Sequence, residues 1–319
     1  MEKVYDLIII GAGPAGLTAG IYAGRSRLDT LLIERGQDGG QIAITDEIEN
    51  YPGGLSTPEN IESGAALIAR MTAQCQHFGV ERLSANVTQV ELEGPIKRVH
   101  TREAVLEAKA VIIATGAHPR PIGCPGESDL IGRGVSYCAT CDGAFFEDLE
   151  VYVVGGGDTA VEEAMYLTKF ARKVTIIHRR DELRAVKSIQ ERAFKNDKID
   201  FMWNSVVTAL HGDDGVLNGM TVKDTKTGEE RRVDADEEDG MFGVFVFIGF
   251  LPNYELFDGI VDMEYNYIVT DTEMRTNIPG VFAVGDIRTT PLRQVVTACA
   301  DGAIATMQVE HDLASGAYD

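Results

Sequence analysis

The chain opens with an almost unbroken apolar run, Tyr5–Ile10, rich in β-branched side chains. Such a run lacks the polar alternation of a half-exposed strand, so it predicts a strand buried on both faces. Gly11-Ala-Gly-Pro-Ala-Gly16 follows, and the small residues of Leu17–Gly24 predict a helix. Leu28–Ile33 reads as a second buried strand, and Thr57–Phe78 has helical spacing. Val87–Leu92 and Arg98–Thr101 are predicted as hairpin strands, and Ala108–Ala114 as a further buried strand ending in Thr115-Gly116.

Three prolines and two glycines then crowd Pro119–Gly126, the signature of a linker. Beyond it the opening pattern starts again. Val151–Val154 is a predicted strand, Gly155-Gly-Gly-Asp-Thr-Ala160 a turn, Val161–Phe170 a helix and Val174–Ile177 a strand. This internal repeat predicts two nucleotide-binding units of the α/β class, each Rossmann-like. Met241–Phe250 is a continuous apolar run broken by Leu251-Pro252-Asn253, Gly280–Asp286 holds a short strand, and Arg293–Val309 reads as a helix. The C-terminal part has too few elements to fold alone. It is expected to complete the first domain, with the second inserted: 1–117 and 247–319 around 118–246.

Composition narrows the partners. With 29 basic and 50 acidic side chains the net charge is −21, which argues against nucleic acid and anionic membranes, since both need a basic patch. No apolar run has the length of a membrane span, and the N-terminus lacks a signal-peptide shape. The acidic run Asp234-Ala-Asp-Glu-Glu-Asp239 is expected as a surface turn. Five cysteines, an odd number with one close pair, do not form a secreted disulfide framework, so a reducing, cytoplasmic location is expected.

The two glycine loops carry the first chemistry. Gly11 permits a tight turn, Gly13 lets backbone approach a pyrophosphate, and Gly16 allows close helix–strand packing. The helix that follows turns its positive end toward phosphates. Glu34, ending the second strand, can accept hydrogen bonds from a ribose diol. The second loop, Gly155-x-Gly157-x-x-Ala160, repeats this logic, but its second strand ends in His178-Arg179-Arg180, with Arg184 beyond. Arginines there offer planar charged donors to a 2′-phosphate. NADPH is therefore assigned to the second loop and FAD to the first. His178 is read as a packing residue or an adenine contact.

Cys138-Ala-Thr-Cys141-Asp142 is the redox candidate. Two intervening residues let the sulfurs meet within one turn, as dithiol–disulfide exchange requires. Asp142 is a candidate general acid–base for thiolate formation. Zinc would need two more ligands at similar spacing, and none stands nearby. A structural disulfide is the other reading. Cys75, Cys124 and Cys299 are singletons, read as buried inert thiols.

Together these blocks resemble the low-molecular-weight thioredoxin reductases of bacteria and plants. The resemblance runs nearly end to end, through GAGPAG (Gly11–Gly16), GGQI (Gly39–Ile42), ENYPG (Glu49–Gly53), ATGA (Ala114–Ala117), GVSYCATCDG (Gly134–Gly143), GGGDTAVEEA (Gly155–Ala164), HRRDELRA (His178–Ala185) and Phe282–Ala305. It implies that Asp286 binds the flavin ribityl chain and that Arg293, Gln294 and Val295 lie at the flavin ring, with Gln41 and Asn50 lining the site. Pro14, Ala15, Arg35, Gly40 and Gly116 join the implied FAD contacts, and Asp158 and Thr159 the NADPH contacts. It implies that Cys141 faces the flavin while Cys138 attacks thioredoxin, with Arg133 and the pair Phe145–Phe146 near the docking surface. A homodimer and a rotating NADPH domain are implied as well. A flavin reductase of the ferredoxin–NADP type shares the loops without needing the cysteine pair. A dithiol oxidase would run the same pair in reverse, and a non-catalytic flavoprotein would bind FAD and act as a redox sensor or interaction module.

Overall fold

In the computed structural model, residues 3–44, 48, 50–57, 60–213 and 215–318 are described, with backbone alone for 44, 56, 57, 60, 61, 140, 141 and 213. The chain forms two compact units. Unit 1 comprises Met1–His118 and Pro252–Asp319, and unit 2 is the intervening Pro119–Leu251.

Unit 1 is built on a seven-stranded sheet. Its labelled strands are β1 (Val4–Ile10), β2 (Thr30–Glu34), β3 (Glu81–Ser84), β4 (Val87–Glu91), β5 (Lys97–Thr101) and β6 (Val105–Ile113). The order is β3-β2-β1-β6-β5-β4, and the short strand Val281–Ala283 pairs in parallel with the far end of β6. β1 is parallel to both β2 and β6, whereas β4, β5 and β6 form antiparallel hairpins. Side chains on β1 alternate between two cores. Leu7 and Ile9 pack under the helices α1 (Pro14–Arg25), α2 (Gly64–His77) and the C-terminal Val295–Ser315, while Ile8 and Ile10 enter the opposite core. Cover on both faces is why the run carries no polar alternation.

α2 starts at Gly64, seven residues inside the stretch of helical spacing. Ser63 stops it there: its hydroxyl accepts the Ala66 N–H at 3.1 Å, satisfying a donor that the first turn leaves free. The C-terminal helix runs to Ser315 and ends where Gly316 adopts φ +72°. The last turn is tied down by Arg275, which makes a bidentate pair with Asp312, and by the Tyr318 hydroxyl, which donates to Asp312 at 2.6 Å.

Unit 2 repeats the plan in smaller form. A parallel five-stranded sheet joins β7 (Val135–Ser136), β8 (Glu150–Gly155), β9 (Lys173–Ile177), β10 (Ile199–Met202) and β14 (Gly243–Phe247), in the order β7-β14-β8-β9-β10. Here α3 is Ala139–Asp142, α4 is Asp158–Leu167 and α5 is Lys187–Phe194. α4 and α5 cover one face of the sheet. The other face is covered by an antiparallel sheet of β11 (Ser205–Asp213), β12 (Val216–Asp224) and β13 (Glu230–Asp234), through Val207, Leu210, Met220 and Val222. The acidic run after β13 turns at the surface, where Asp239 pairs with Arg172. The chain thus holds two Rossmann-like α/β units, one inserted into the other. β14 pairs along its length with β8, which keeps the chain in unit 2 as far as Leu251.

Candidate functional site

In unit 1 the first loop leaves the carboxyl end of β1, where open α/β sheets bind ligands. Gly11 has φ +108°, and a Cβ there would stand 2.3 Å from the Ala114 carbonyl oxygen. Only glycine fits. Gly13 differs: its φ is −72°, and a Cβ would meet nothing within 4 Å. The space over Gly13 is open, Pro14 begins α1, and no side chain caps the helix. Backbone N–H groups and the helix dipole therefore point at a site suited to phosphate. Ala15 and Gly16 are buried behind it.

Glu34 has a more local task than the sequence suggests. Its Oε2 accepts the Ala12 N–H at 2.9 Å and its Oε1 the Gly36 N–H at 3.0 Å. The carboxylate thus fixes the glycine loop, with lone pairs to spare for a further donor. Arg35 and Gly40 are exposed beside it. Gln41 donates to the Ala117 carbonyl at 3.3 Å, and Gly116 turns with φ +65°.

Asn50 and Gln294 meet directly: the Asn50 amide donates to Gln294 Oε1 at 2.9 Å. Gln294 also caps the C-terminal helix with Thr297, and Val295, 5% exposed, begins that helix. Arg293 lies 4.1 Å over the Tyr267 ring, and its buried Nε has no hydrogen-bond partner among the described residues. Burial raises the pKa of Asp286, Arg293 pulls it down and Asp301 pushes it up. An open phosphate cradle, an orphaned guanidinium N–H and the half-buried Asp286 carboxyl fit a polar dinucleotide such as FAD. Two residues outside the predicted set support this arrangement. Asp301, buried, accepts the Gly285 N–H at 3.0 Å and Arg288 Nη1 at 3.1 Å, holding the turn that carries Asp286. Cys299 Sγ lies 3.9 Å from the Pro14 carbonyl oxygen.

The second loop has the same build. Gly155 has φ +152°, and a Cβ would stand 2.4 Å from the Phe247 carbonyl oxygen. Gly157 precedes α4 with no side-chain cap, and Arg184 Nη2 is 3.9 Å from its Cβ position. Arg179, Arg180 and Arg184 are exposed, free to take a dianion. Asp158 Oδ1 accepts the Val186 N–H at 2.7 Å, Thr159 is exposed, and Ala160 packs in the core. His178 is 6% exposed and lies against Gly156, where a Cβ would come within 2.3 Å of its ring. Burial, then Arg184, Arg179 and Arg180, hold its pKa down, so the ring is neutral. It is a pillar under the loop.

Cys138 is disulfide-bonded, whereas Cys75, Cys124 and Cys299 are free. The Cys141 side chain lies outside the described residues. Asp142 is half-buried on α3, its N–H donating to the Cys138 carbonyl at 3.3 Å. The expected aromatic pair is split. Phe145 is 77% exposed, but Phe146 is 4% exposed and packs edge-on against Phe245 with centroids 5.3 Å apart. The tight 3-10 turn Gly143–Phe146 sends neighbouring side chains in different directions, so Phe145 and the exposed Arg133 alone are available at the surface.

Burial pushes the thiols of Cys75 and Cys124 up to about 11. Since the thiolate is the reactive form, iodoacetamide at pH 8 should alkylate both roughly 100-fold more slowly than free cysteine. Mass spectrometry of the oxidised protein checks this; rapid labelling at either position would contradict it.

Among the described residues no helix is long and apolar enough to cross a membrane. The pyridine nucleotide-disulphide oxidoreductase family model matches residues 5–302. The thioredoxin reductase of Peptoclostridium acidaminophilum is 57% identical over 311 residues, covering 97% of each chain. That of Bacillus subtilis strain 168 is 49% identical over 311 residues, 97% of this chain and 95% of the relative. The crystal structure of Lactococcus lactis thioredoxin reductase matches with a TM-score of 0.87 at 46% identity, covering 98% of this chain and 99% of that one. With both glycine loops formed and a disulfide at Cys138, a likeness of this extent leads to one assignment: the chain belongs to the low-molecular-weight thioredoxin reductases, within the pyridine nucleotide-disulphide oxidoreductase family.

Proposed function

We propose that the chain reduces the disulfide of thioredoxin with electrons from NADPH, using FAD and the Cys138–Cys141 pair. The observation that carries this reading is the disulfide at Cys138 in a chain whose Cys75, Cys124 and Cys299 are free thiols. FAD belongs with unit 1, 1–118 and 252–319, and NADPH with unit 2, 119–251. Bound NADPH and FAD supply the electron pair that opens the Cys138–Cys141 disulfide.

The rest is done by side chains. Gly11, Gly13 and Gly16, with Glu34 behind them, shape the FAD phosphate cradle. Asp286, Arg293, Gln294 and Val295 hold its other end. Gly155, Gly157 and the α4 N-terminus take the NADPH pyrophosphate, and Arg179, Arg180 and Arg184 its 2′-phosphate. Cys138 thiolate attacks one sulfur of the thioredoxin disulfide, forming a mixed disulfide and releasing one thioredoxin thiolate. Cys141 thiolate then attacks the Cys138 sulfur, which restores the enzyme disulfide and releases the second thioredoxin thiolate. Two protons complete the dithiol, and Asp142, next to Cys141 in the chain, is the proposed carrier. The balance is NADPH, one proton and thioredoxin disulfide giving NADP⁺ and thioredoxin dithiol.

NADPH oxidation with thioredoxin as acceptor tests the reading. Turnover with NADPH but none with any thioredoxin would sink it. The nucleotide assignment has its own test. Charge-assisted hydrogen bonds contribute about 1.5–3 kcal/mol each. Replacing Arg179 and Arg180 by Ala should therefore raise KM for NADPH roughly 100-fold or more while moving KM for NADH little. An equal effect on both nucleotides would remove the 2′-phosphate role.

The enzyme is further read as a cytoplasmic homodimer. Val296, Ile304 and Met307 form an exposed apolar stripe on the C-terminal helix, which supports self-association. A monomer in sedimentation at micromolar concentration would contradict it.

A further inference from the structure

The segment leading into the redox turn is held by more polar contacts than its fold requires. Ser136, 4% exposed at the end of β7, uses its hydroxyl twice. It accepts the Cys138 N–H at 3.0 Å and donates to the Cys138 carbonyl at 3.1 Å. Tyr137, next in sequence, donates its hydroxyl to Glu127 Oε1 at 2.7 Å. Glu127 is 3% exposed, too deep for a carboxylate without several donors. It has them: the Ile122 N–H at 2.8 Å, the Gly123 N–H at 2.6 Å and the Tyr137 hydroxyl. Burial and Glu127 raise the Tyr137 phenol well above its ordinary range, so it stays a donor. The neighbouring Cys124 is kept a neutral thiol by burial and the same carboxylate. The polar chain therefore runs from the entry of unit 2, through a buried anion, to the residue beside Cys138, and Ser136 closes the bend on Cys138 itself.

We infer that Ser136 and the Glu127-anchored Tyr137 are positioning residues that hold the Cys138 backbone in place when its disulfide opens. The inference rests on the proposed function, in which Cys138 must open to a thiolate and close again in each turnover. In the oxidised enzyme the S–S bond itself restrains Cys138. In the dithiol that restraint is gone, and the Ser136 contacts to the Cys138 backbone persist. A restrained dithiol has a higher effective concentration of one thiol at the other, which favours the disulfide and makes the dithiol a stronger reductant. Releasing the backbone lets the dithiol spread over more conformations, and both the potential and the rate of attack suffer.

The experiment uses the FAD-loaded enzyme with Tyr137→Phe, Ser136→Ala and Ser136→Thr. Tyr137→Phe keeps the ring and removes only the hydroxyl, so it spares the packing. The Cys138 disulfide is equilibrated in dithiothreitol redox buffers and read by alkylation and mass. Thioredoxin kcat and KM are measured beside NADPH-driven ferricyanide reduction, which bypasses the cysteines. Tyr137→Phe and Ser136→Ala should each make the potential less negative by about 30 mV, a tenfold change for a two-electron couple. Each should lower kcat for thioredoxin about tenfold at unchanged KM and unchanged ferricyanide rate, and Ser136→Thr should restore both. An unchanged potential overturns the inference, whether kcat is unchanged or KM alone rises. So does a parallel loss of ferricyanide reduction in both variants. Thioredoxin turnover by the unsubstituted enzyme judges the proposed function separately.

Discussion

Cys138→Ser should abolish thioredoxin reduction, with a loss on the order of 10⁴-fold or more, the scale of removing a covalent nucleophile. A serine hydroxyl ionises far above physiological pH, and its oxygen forms no disulfide. Both the attack on thioredoxin and the closing of the enzyme disulfide are lost. The proposed nucleotide sites lie on other residues, so NADPH-driven ferricyanide reduction should stay within about twofold. Cys141→Ser should be equally inactive with thioredoxin but for a different reason. It retains the attacking thiolate and lacks the resolving one, so a covalent adduct with thioredoxin should accumulate on a non-reducing gel. If the adduct formed with Cys138→Ser instead, the two roles would be exchanged. If Cys138→Ser still turned over thioredoxin, the function proposed for the pair would fail.

The elements legible in the sequence are those whose environment is uniform along their length. Leu7–Ile10 and Val151–Val154 lie in central parallel strands with cores on both faces, so every position wants an apolar side chain. The glycine loops are legible because backbone sterics leave Gly11 and Gly155 no substitute. The antiparallel sheet over Ser205–Asp234 went unread for the opposite reason. One face of it is covered, which should give alternation, but register shifts at Val207/Ala209 and His211/Gly212 break the period of two. Its core-facing residues then look scattered.

Within the candidate site, residue types were legible and their partners were not. Glu34 stands where a ribose acceptor belongs, yet nothing in the sequence says that its two oxygens already hold Ala12 and Gly36. Phe145 and Phe146 look alike in sequence, and only the 3-10 turn sends one into the core. Asp301 and Glu127 act over 16 and 10 residues, on a backbone N–H and a phenol that no local pattern announces. The end of the C-terminal helix is marked by Gly316, a glycine at a C-cap, seven residues beyond the Val309 that the helical spacing predicts as its last residue.

Two glycines of unit 1 should respond to alanine in opposite ways, and the contrast separates fold from cofactor. At Gly302, where the C-terminal helix crosses α1, a Cβ would stand 2.2 Å from the Ala15 carbonyl oxygen and 3.0 Å from the Ala19 nitrogen. Both are backbone atoms of a packed helix and cannot swing aside. The buried Thr306 hydroxyl, 3.2 Å from the Ala19 carbonyl oxygen, ties the same two helices together. Gly302→Ala must push them apart, and overpacking of this kind costs about 3 kcal/mol or more. That corresponds to a fall in Tm of roughly 6–12 °C. Because Ala15 lies in the first turn after the glycine loop, the phosphate cradle shifts too, and flavin should be lost with the fold. At Gly13 a Cβ meets nothing within 4 Å and φ is −72°, a conformation any residue adopts. Gly13→Ala should leave the apoprotein at least as stable as before, since alanine has less backbone freedom to lose on folding. Its methyl group instead occupies the space proposed for the FAD pyrophosphate. Flavin absorbance per chain and the far-ultraviolet melt of each apoprotein check the pair. Gly13→Ala with full flavin content would remove the cradle from the FAD site, and Gly302→Ala with an unchanged melt would mean that the helix crossing yields.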